Sequence, residues 1–303
     1  MPIRLALLLS VVAFPAGAEV PKVVADVGPI HSMVARVMDG LGAPTLIVPP
    51  GLSPHGHALR PSEASALQDA DVVVRVGGTL APWLDDAVGT LAPKARSLVL
   101  LDVPETRLRT FDEDHGHGDD DDPHKDHDAD AVAIDPHAWL DPDNGKLWLD
   151  AIADTLSEAD PENAIIYAAN AEAGRAELDG LKIEIEGTLA PVRDRGFIVF
   201  HDAYGYFEEK FSIPSAGAIN VSDAAPPSAA RVAALRDAVV DADAVCVFSE
   251  PQFNTGLVTT LTEGTGARSG VLDPLGAALQ PGPALYPALL RGLATSLSEC
   301  LAE

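Results

Sequence analysis

The stretch VPKVVADVGPIHSMVARVMDGLGAPTLIVPP, residues 20–50, decides the architecture of this chain. It holds an apolar run at residues 20–27, a helical pattern through residues 31–38 and a second apolar run at residues 45–50. Runs rich in valine and isoleucine form strands, and strands that alternate with helices build parallel sheets covered by helices. The stretch therefore predicts an α/β fold.

The same alternation continues through the rest of the chain. A helix is predicted at residues 61–68, and further strands are predicted at residues 70–77, 97–104, 196–203, 212–219, 243–250 and 268–275. A faint internal repeat suggests two similar halves, because Asp-Ala-Asp precedes an apolar run at residues 69–71 and again at residues 241–243. The match is short, so chance is an alternative explanation.

One long helical segment is predicted between the two halves. Pro161 suits the first turn of this helix, and Pro191 ends it. Four apolar residues at spacings of three and four share one helical face, namely Leu178, Leu181, Ile185 and Leu189. We therefore expect an N-terminal α/β lobe at residues 19–160, a linking helix at 161–190 and a C-terminal α/β lobe at 191–303.

The N-terminus has the three parts of a secretory signal peptide. Arg4 supplies a positive charge, residues 5–14 are almost entirely apolar, and Ala16-Gly17-Ala18 offers the small residues of a cleavage site. The apolar run is much shorter than the roughly 20 residues that a membrane span needs. We expect residues 1–18 to be a signal peptide and the mature chain to be periplasmic, with a buried strand as the alternative interpretation.

The formal net charge of the chain is −26. So acidic a protein repels nucleic acids and anionic membranes, and it attracts cations. Hydrophobic residues nevertheless make up 47% of the chain, which is enough to build a core. We therefore expect a globular protein that does not bind nucleic acid.

The chain has two cysteines, Cys246 and Cys300. In an oxidising compartment, an even pair of cysteines predicts one disulfide. This bond would tie the predicted strand at residues 243–250 to the last helix. Two unpaired buried thiols are the alternative.

Residues 111–130, FDEDHGHGDDDDPHKDHDAD, contain ten acidic residues and four histidines. The segment has no apolar periodicity with which to form a core, so we expect a mobile loop. Imidazole and carboxylate groups together can bind divalent metals, and we expect weak metal binding by His115, His117, His124 and His127. A solvated acidic linker is the alternative.

Several possible metal ligands lie where predicted strands end or in loops. His55 and His57 follow the apolar run at residues 45–50, and His137 lies in a loop that precedes a predicted helix. His201 directly follows the apolar run at residues 197–200, and Asp273 directly follows Gly270-Val271-Leu272, so each lies near the end of a predicted strand. Parallel sheets bind ligands beyond the carboxyl ends of their strands. The joint placement of these residues therefore predicts a site in the cleft between the lobes.

Five strings in the chain carry a family resemblance: SPHGHALRPS, DPHAWLDP, FHDAYGYF, FSEPQF and VLDPLG, at residues 53–62, 135–142, 200–207, 248–253 and 271–276. In this order they resemble the zinc-uptake solute-binding proteins of ABC transporters, the ZnuA group. The resemblance covers essentially the whole mature chain. It implies two Rossmann-like lobes joined by one long helix, with the metal in the cleft between them.

Carried over residue by residue, the resemblance implies that His55, His137 and His201 are zinc ligands. It also implies that Asp273 supplies a carboxylate at or near the metal. Some zinc-binding relatives have a glutamate just before the first histidine, where this chain has Pro54. The fourth ligand is therefore expected to be Asp273 or water, with His57 as an alternative ligand.

The resemblance implies Zn²⁺ as the cargo, because manganese-binding relatives have a glutamate at the position of His201. Three imidazoles with at most one carboxylate suit zinc, whereas manganese prefers more oxygen ligands. The implied partner is the permease of an ABC importer in the inner membrane. We expect the chain itself to be a monomer.

Other functions are compatible with the residues alone. A zinc-dependent hydrolase could use Asp202 or Glu250 as a base, since three protein ligands and an open position also describe catalytic zinc. An adhesion module could use a metal only for folding. A periplasmic zinc buffer would need no transporter, and a transport protein could carry another divalent metal such as manganese.

Deleting residues 112–130 is expected to remove only weak zinc equivalents. A preformed cleft spends less ordering entropy on binding than a loop that must fold around each ion, so one tight equivalent should stay almost unchanged. Calorimetric titration with zinc measures both classes of site. Loss of the tight equivalent would show that the loop supplies a primary ligand, and unchanged stoichiometry would make it a solvated linker.

Overall fold

The computed structural model describes residues 20–111, 133–220, 229–253 and 256–302. Two sequence-based expectations lie outside these residues. One is the signal peptide at residues 1–18, and the other is metal binding by His115, His117, His124 and His127.

The first half of the chain forms a four-stranded parallel sheet. Its strands are β1 at Val23–Ala25, β2 at Thr45–Leu46, β3 at Val72–Arg75 and β4 at Arg96–Val99. They are ordered β2-β1-β3-β4. The connecting helices are α1 at Gly28–Val37, α2 at Pro61–Gln68 and α3 at Pro82–Leu91. Valines dominate β1 and β3 and are buried, as expected of central strands covered on both faces.

The second half repeats this topology. Its strands are β5 at Phe197–His201, β6 at Ala218–Asn220, β7 at Cys246–Ser249 and β8 at Arg268–Val271, and its shorter helices are α6 at Gly205–Phe211, α7 at Ala229–Asp241 and α8 at Gly256–Thr262. The strands are parallel in the order β6-β5-β7-β8. The two Asp-Ala-Asp sequences therefore precede β3 and β7, which occupy equivalent positions in the two sheets.

Three long helices hold the halves together: α4 at Pro142–Ala159, α5 at Ala164–Leu189 and α9 at Leu285–Ala302. Helix α5 has 26 residues, which corresponds to about 39 Å. Its predicted apolar face is buried, and it packs against α1, α4 and α9. The predicted α/β fold, with two parallel sheets and a long helix, is thus confirmed. The exact lobe boundaries stay predictions.

Helix α9 belongs to the second half in sequence but also contacts the first half. The Tyr286 N–H donates to Ser32 Oγ on α1 at 2.9 Å, and the Tyr286 hydroxyl donates to the Trp139 carbonyl at 2.7 Å. At the other end of the helix, Cys300 forms a disulfide with Cys246 on β7, as predicted. A loop of this length contributes about 4 kcal/mol in the chain-entropy view of disulfides. Among the described residues, no helix is long and apolar enough to cross a membrane.

A buried carboxylate joins the ends of the two central strands in the first sheet. Asp26 directly follows β1 and is 2% exposed. Its side chain accepts hydrogen bonds from the backbone N–H groups of Val27 and Val76, at 2.8 and 2.7 Å. Burial raises the pKa of Asp26 to about 6, although these hydrogen bonds act in the opposite direction.

The raised pKa of Asp26 predicts a pH-dependent contribution to stability. Between the ordinary pKa of 3.8 and the folded value of about 6, the folded chain binds more protons than the unfolded chain. Its free energy of unfolding therefore falls as the pH rises through this range. The loss should reach about 3 kcal/mol, because each pKa unit corresponds to about 1.4 kcal/mol.

The variant Asp26→Asn cannot ionise, so it isolates this contribution. Urea unfolding of both metal-free proteins between pH 4 and 7.5 should show wild type losing stability relative to the variant as the pH rises. A stability difference that does not change with pH would contradict the assignment.

Candidate metal centre

Three histidines from three separate segments meet between the two halves of the chain. His55 lies in the loop that follows β2, His137 lies in the turn before α4, and His201 is the last residue of β5. Each ring has one nitrogen atom placed so that the three nitrogens lie within 4.8 Å of one another. The ring centres of His137 and His201 are 4.8 Å apart. The ring centre of His55 lies 5.6 Å from that of His137 and 5.9 Å from that of His201.

The three rings lie in a small, mostly apolar cavity. His137 and His201 are only 3% and 6% exposed, whereas His55 is partly exposed at the mouth. The walls include Pro54, Trp139, Phe253, Pro274 and Leu275. Water is largely excluded from such a site, so electrostatic interactions between ligands and a cation are stronger there than in solution.

A buried carboxylate orients His137. Asp135 is fully buried, and its Oδ1 accepts hydrogen bonds from the backbone N–H of His137 at 3.0 Å and from Nδ1 of the same residue at 2.7 Å. A proton held on Nδ1 leaves Nε2 with a lone pair, which is the form that binds a metal. Asp135 therefore fixes both the orientation and the tautomer of His137.

His201 has an equivalent partner on the neighbouring strand of its sheet. Its Nδ1 lies 3.1 Å from Oε1 of Glu250, a residue that directly follows β7 and is 2% exposed. Tyr204 is buried beside this carboxylate, and burial together with the charge of Glu250 raises the pKa of its hydroxyl well above the ordinary value. Tyr204 therefore stays neutral, and Glu250 remains available to hold the imidazole.

Asp135 is itself held by contacts that join the two halves. Arg109 lies 3.4 Å from Asp135 Oδ2 and 3.3 Å from Glu209 on α6. The Tyr206 hydroxyl, also on α6, accepts from the Arg109 N–H at 2.8 Å and donates to the Asp135 carbonyl at 2.9 Å. A Cβ at position 205 would lie 1.5 Å from the Arg109 guanidinium, so Gly205 is required for this approach.

The loop that carries His55 is fixed by an indole. Trp83 Nε1 donates to the Pro54 carbonyl at 2.7 Å, and the His55 N–H donates to Ser53 Oγ at 3.2 Å. The His57 ring contacts the edge of Trp83 with 5.4 Å between ring centres. Trp83 thus fixes the backbone on the N-terminal side of His55 and packs against the side chain two residues after it.

His57 lies outside the three-histidine group. Its Nε2 is 2.8 Å from Glu63 Oε2, an oxygen that also accepts from the Arg60 N–H at 2.7 Å. The side chain of His57 is buried by these contacts. In this structure His57 therefore supports the loop, and its assignment as an alternative ligand stays a prediction without geometric support.

Asp273 is also outside the group of converging histidine nitrogens. Its two carboxylate oxygens accept hydrogen bonds from the backbone N–H groups of Leu275 at 3.3 Å and Ala278 at 3.2 Å. These contacts hold the turn that follows β8. Each oxygen keeps a second lone pair, so these bonds do not decide whether Asp273 binds a metal, and its role as a ligand stays a prediction.

The sequence analysis missed the residues that support the histidines. Asp135 is two residues before His137, and this short spacing was a usable signal for a side chain that orients the ring. Trp83 and Arg109 come from distant segments and had no such signal. Glu250 was considered only as a hydrolytic base, whereas it contacts the ring of His201.

Comparison with known proteins identifies the family. A family model described as "Zinc-uptake complex component A periplasmic" matches residues 23–300. The chain belongs to the ZnuA family. This is a family of periplasmic solute-binding proteins of a transporter and not of enzymes, so the zinc-hydrolase interpretation is wrong.

Similar members of the ZnuA family match over nearly their whole length. The "High-affinity zinc uptake system protein ZnuA" of Paracoccus denitrificans is 46% identical over 315 residues, which cover 98% of this chain and 97% of the relative. The protein of the same name from Haemophilus ducreyi is 36% identical and covers 93% of both chains.

Solved structures agree with this fold. A crystal structure of ZnuA has a TM-score of 0.75 at 26% identity and covers 92% of this chain and 98% of its own. The solute-binding protein FpvC of Pseudomonas aeruginosa, in complex with Mn²⁺, has a TM-score of 0.79 at 18% identity, with 93% and 99% covered. At that identity the likeness shows the fold alone.

The carboxylate partners should strengthen metal binding. Asp135→Asn and Glu250→Gln keep the shape of each side chain but remove the charge that holds the histidine in its metal-binding tautomer. Each should weaken zinc binding about 10- to 100-fold, the usual effect of removing such a partner. Competition with a chromophoric chelator measures the affinities.

Asp150→Asn is the matched control, because Asp150 pairs with Arg175 at the surface of α4. Its zinc affinity should equal that of wild type. Wild-type affinity in both Asp135→Asn and Glu250→Gln would show that the two carboxylates do not support the ligands.

Proposed function

We propose that this chain captures one Zn²⁺ in the periplasm and delivers it to the permease of an ABC importer. The single observation that carries the proposal is the convergence of His55, His137 and His201 in one largely buried cavity. Membership of the ZnuA family supports zinc as the cargo and the periplasm as the compartment.

The three histidines are proposed to bind zinc directly. Zinc–nitrogen bonds of 2.0–2.1 Å in a tetrahedral site place ligand nitrogens about 3.3 Å apart. The nitrogens already lie within 4.8 Å of one another, so small rotations of the side chains suffice to close the site. A tetrahedral ion then has one further position, which is open to Asp273 or to water.

The ligand set supports zinc over manganese. Three imidazoles match a borderline cation, whereas manganese favours carboxylate and water oxygens. The buried carboxylates Asp135 and Glu250 are hydrogen-bonded to the histidine rings and stand behind them as seen from the metal position. They hold the imidazoles in the metal-binding orientation without becoming oxygen ligands.

The proposal also assigns roles to the N-terminus, to the histidine-rich segment and to the two lobes. Residues 1–18 are proposed to be a cleaved signal peptide, and the mature chain a monomer. His115, His117, His124 and His127 are proposed to collect zinc weakly before it enters the cleft. The lobes at residues 19–160 and 191–303 are proposed to be joined by residues 161–190 as a rigid connection.

Single alanine substitutions at His55, His137 and His201 test the site. Each should weaken zinc binding at least 100-fold, because the remaining groups cannot replace a lost imidazole. Affinities are measured by chelator competition on the purified mature protein. Wild-type affinity in all three variants would refute the assignment.

His57→Phe separates loop support from ligation, because phenylalanine keeps an aromatic ring against Trp83 and removes the imidazole nitrogens. Loss of the contact with Glu63 should weaken zinc binding only a few-fold. A loss as large as that of His55→Ala would instead make His57 a ligand.

A further inference from the structure

The cavity that holds the three histidines also contains an acceptor without a donor. Gln252 lines this cavity together with His55, His137 and His201. Its carboxamide oxygen Oε1 is shielded from solvent and has no hydrogen-bond partner within residues 20–111, 133–220, 229–253 and 256–302. Buried polar atoms are almost always paired in folded proteins, so an unpaired one in a binding cavity indicates a missing donor.

The backbone of Gln252 is held in place from both sides. The Phe253 N–H donates to the Glu250 carbonyl at 3.1 Å, which closes a turn around Gln252. Glu250 is anchored on His201, and the Phe253 ring stacks on Phe200 with 4.5 Å between ring centres. The position of the Gln252 side chain at the cavity therefore follows from an anchored turn.

The histidines that face Gln252 have few donors left to offer. Nδ1 of His137 is bonded to Asp135, and Nδ1 of His201 is bonded to Glu250. Their remaining nitrogens carry lone pairs when the rings bind a metal, so they cannot donate to Gln252. A donor that arrives with the cargo can fill this gap.

We infer that Gln252 Oε1 accepts a hydrogen bond from a water molecule that completes the coordination of the bound zinc ion. The inference rests on the proposed function and names the group that holds the fourth ligand. A zinc-bound water is polarised by the cation and is a strong donor. A neutral amide oxygen is itself a poor zinc ligand beside imidazoles, and Asp273 lies outside the group of converging histidine nitrogens.

The cavity is small. Its volume is about 20 Å³, and one water molecule needs roughly 10–15 Å³ of such space. It therefore has room for a single metal-bound water beside Gln252.

The variants Gln252→Leu and Gln252→Glu separate the acceptor from the shape of the side chain. Leucine removes the acceptor, and we expect zinc affinity to fall about tenfold. The metal-free variant should be at least as stable as wild type in urea unfolding, because an unpaired buried acceptor has been removed. Glutamate keeps an acceptor oxygen and should restore affinity to within a few-fold of wild type.

Gln68→Leu is the matched control, since Gln68 is exposed at the end of α2. Unchanged zinc affinity in Gln252→Leu, or equal losses in the leucine and glutamate variants, would overturn the inference. If the wild-type protein itself failed to bind zinc, the proposed function would fall instead, so the two failures are distinguishable.

Cobalt substitution tests whether water stands between Gln252 and the metal. The visible absorption of Co²⁺ depends strongly on coordination number and ligand type. We expect Gln252→Leu to keep the intensity of a four-coordinate site with only a small shift of its bands. A large change of intensity would show that Gln252 is a direct ligand and would overturn the water-mediated arrangement.

Discussion

Two buried carboxylates hold imidazole rings so that their free nitrogens face one point, and the rest of the site depends on this constraint. Asp135 fixes His137 from within the same short turn, and Glu250 fixes His201 from the adjacent strand. Each ring then has one protonated nitrogen and one lone pair. Because the rings are already oriented, little side-chain entropy remains to be lost when a cation binds.

The carboxylates can do this only because the fold brings distant segments to one place. His201 and Glu250 follow β5 and β7, the two central strands of the second sheet. Ligand sites in parallel sheets form at this point, where the chain leaves neighbouring strands in opposite directions. In the first sheet the equivalent strand ends are joined by Asp26, whose oxygens bond to Val27 and Val76. In the first sheet this position is thus occupied by a structural carboxylate, and the proposed metal ligand His55 comes from the loop after β2.

The connection between the halves is stiff. Helix α5 packs along α4 and α9, and α9 reaches α1 at one end while the disulfide ties its other end to β7. Arg109 also pairs with both Asp135, which orients His137, and Glu209 on α6, and so links the two halves. Large rotation of one half against the other would break these contacts together. Cargo release is therefore not expected to require a wide opening of the cleft.

Much of the fold was predictable because valine-rich strands and helical periodicity are local signals. The convergence of His55, His137 and His201 was also predictable, because each lies in a loop or at a strand end and the family resemblance brings these positions to one cleft. The supporting contacts were not, because Trp83 reaches Pro54 across 29 positions and Tyr206 reaches Asp135 across 71. Pairings over such distances depend on tertiary packing. The same limit applies to Asp273, whose position after a strand gave no sign that the backbone would bind both oxygens.

The most direct test of the account is X-ray absorption at the zinc edge on the mature protein loaded with one equivalent of zinc. The account predicts three imidazole nitrogens at 2.0–2.1 Å and one oxygen in a four-coordinate shell. A shell with fewer than three imidazoles, or a six-coordinate shell dominated by oxygen, would contradict it.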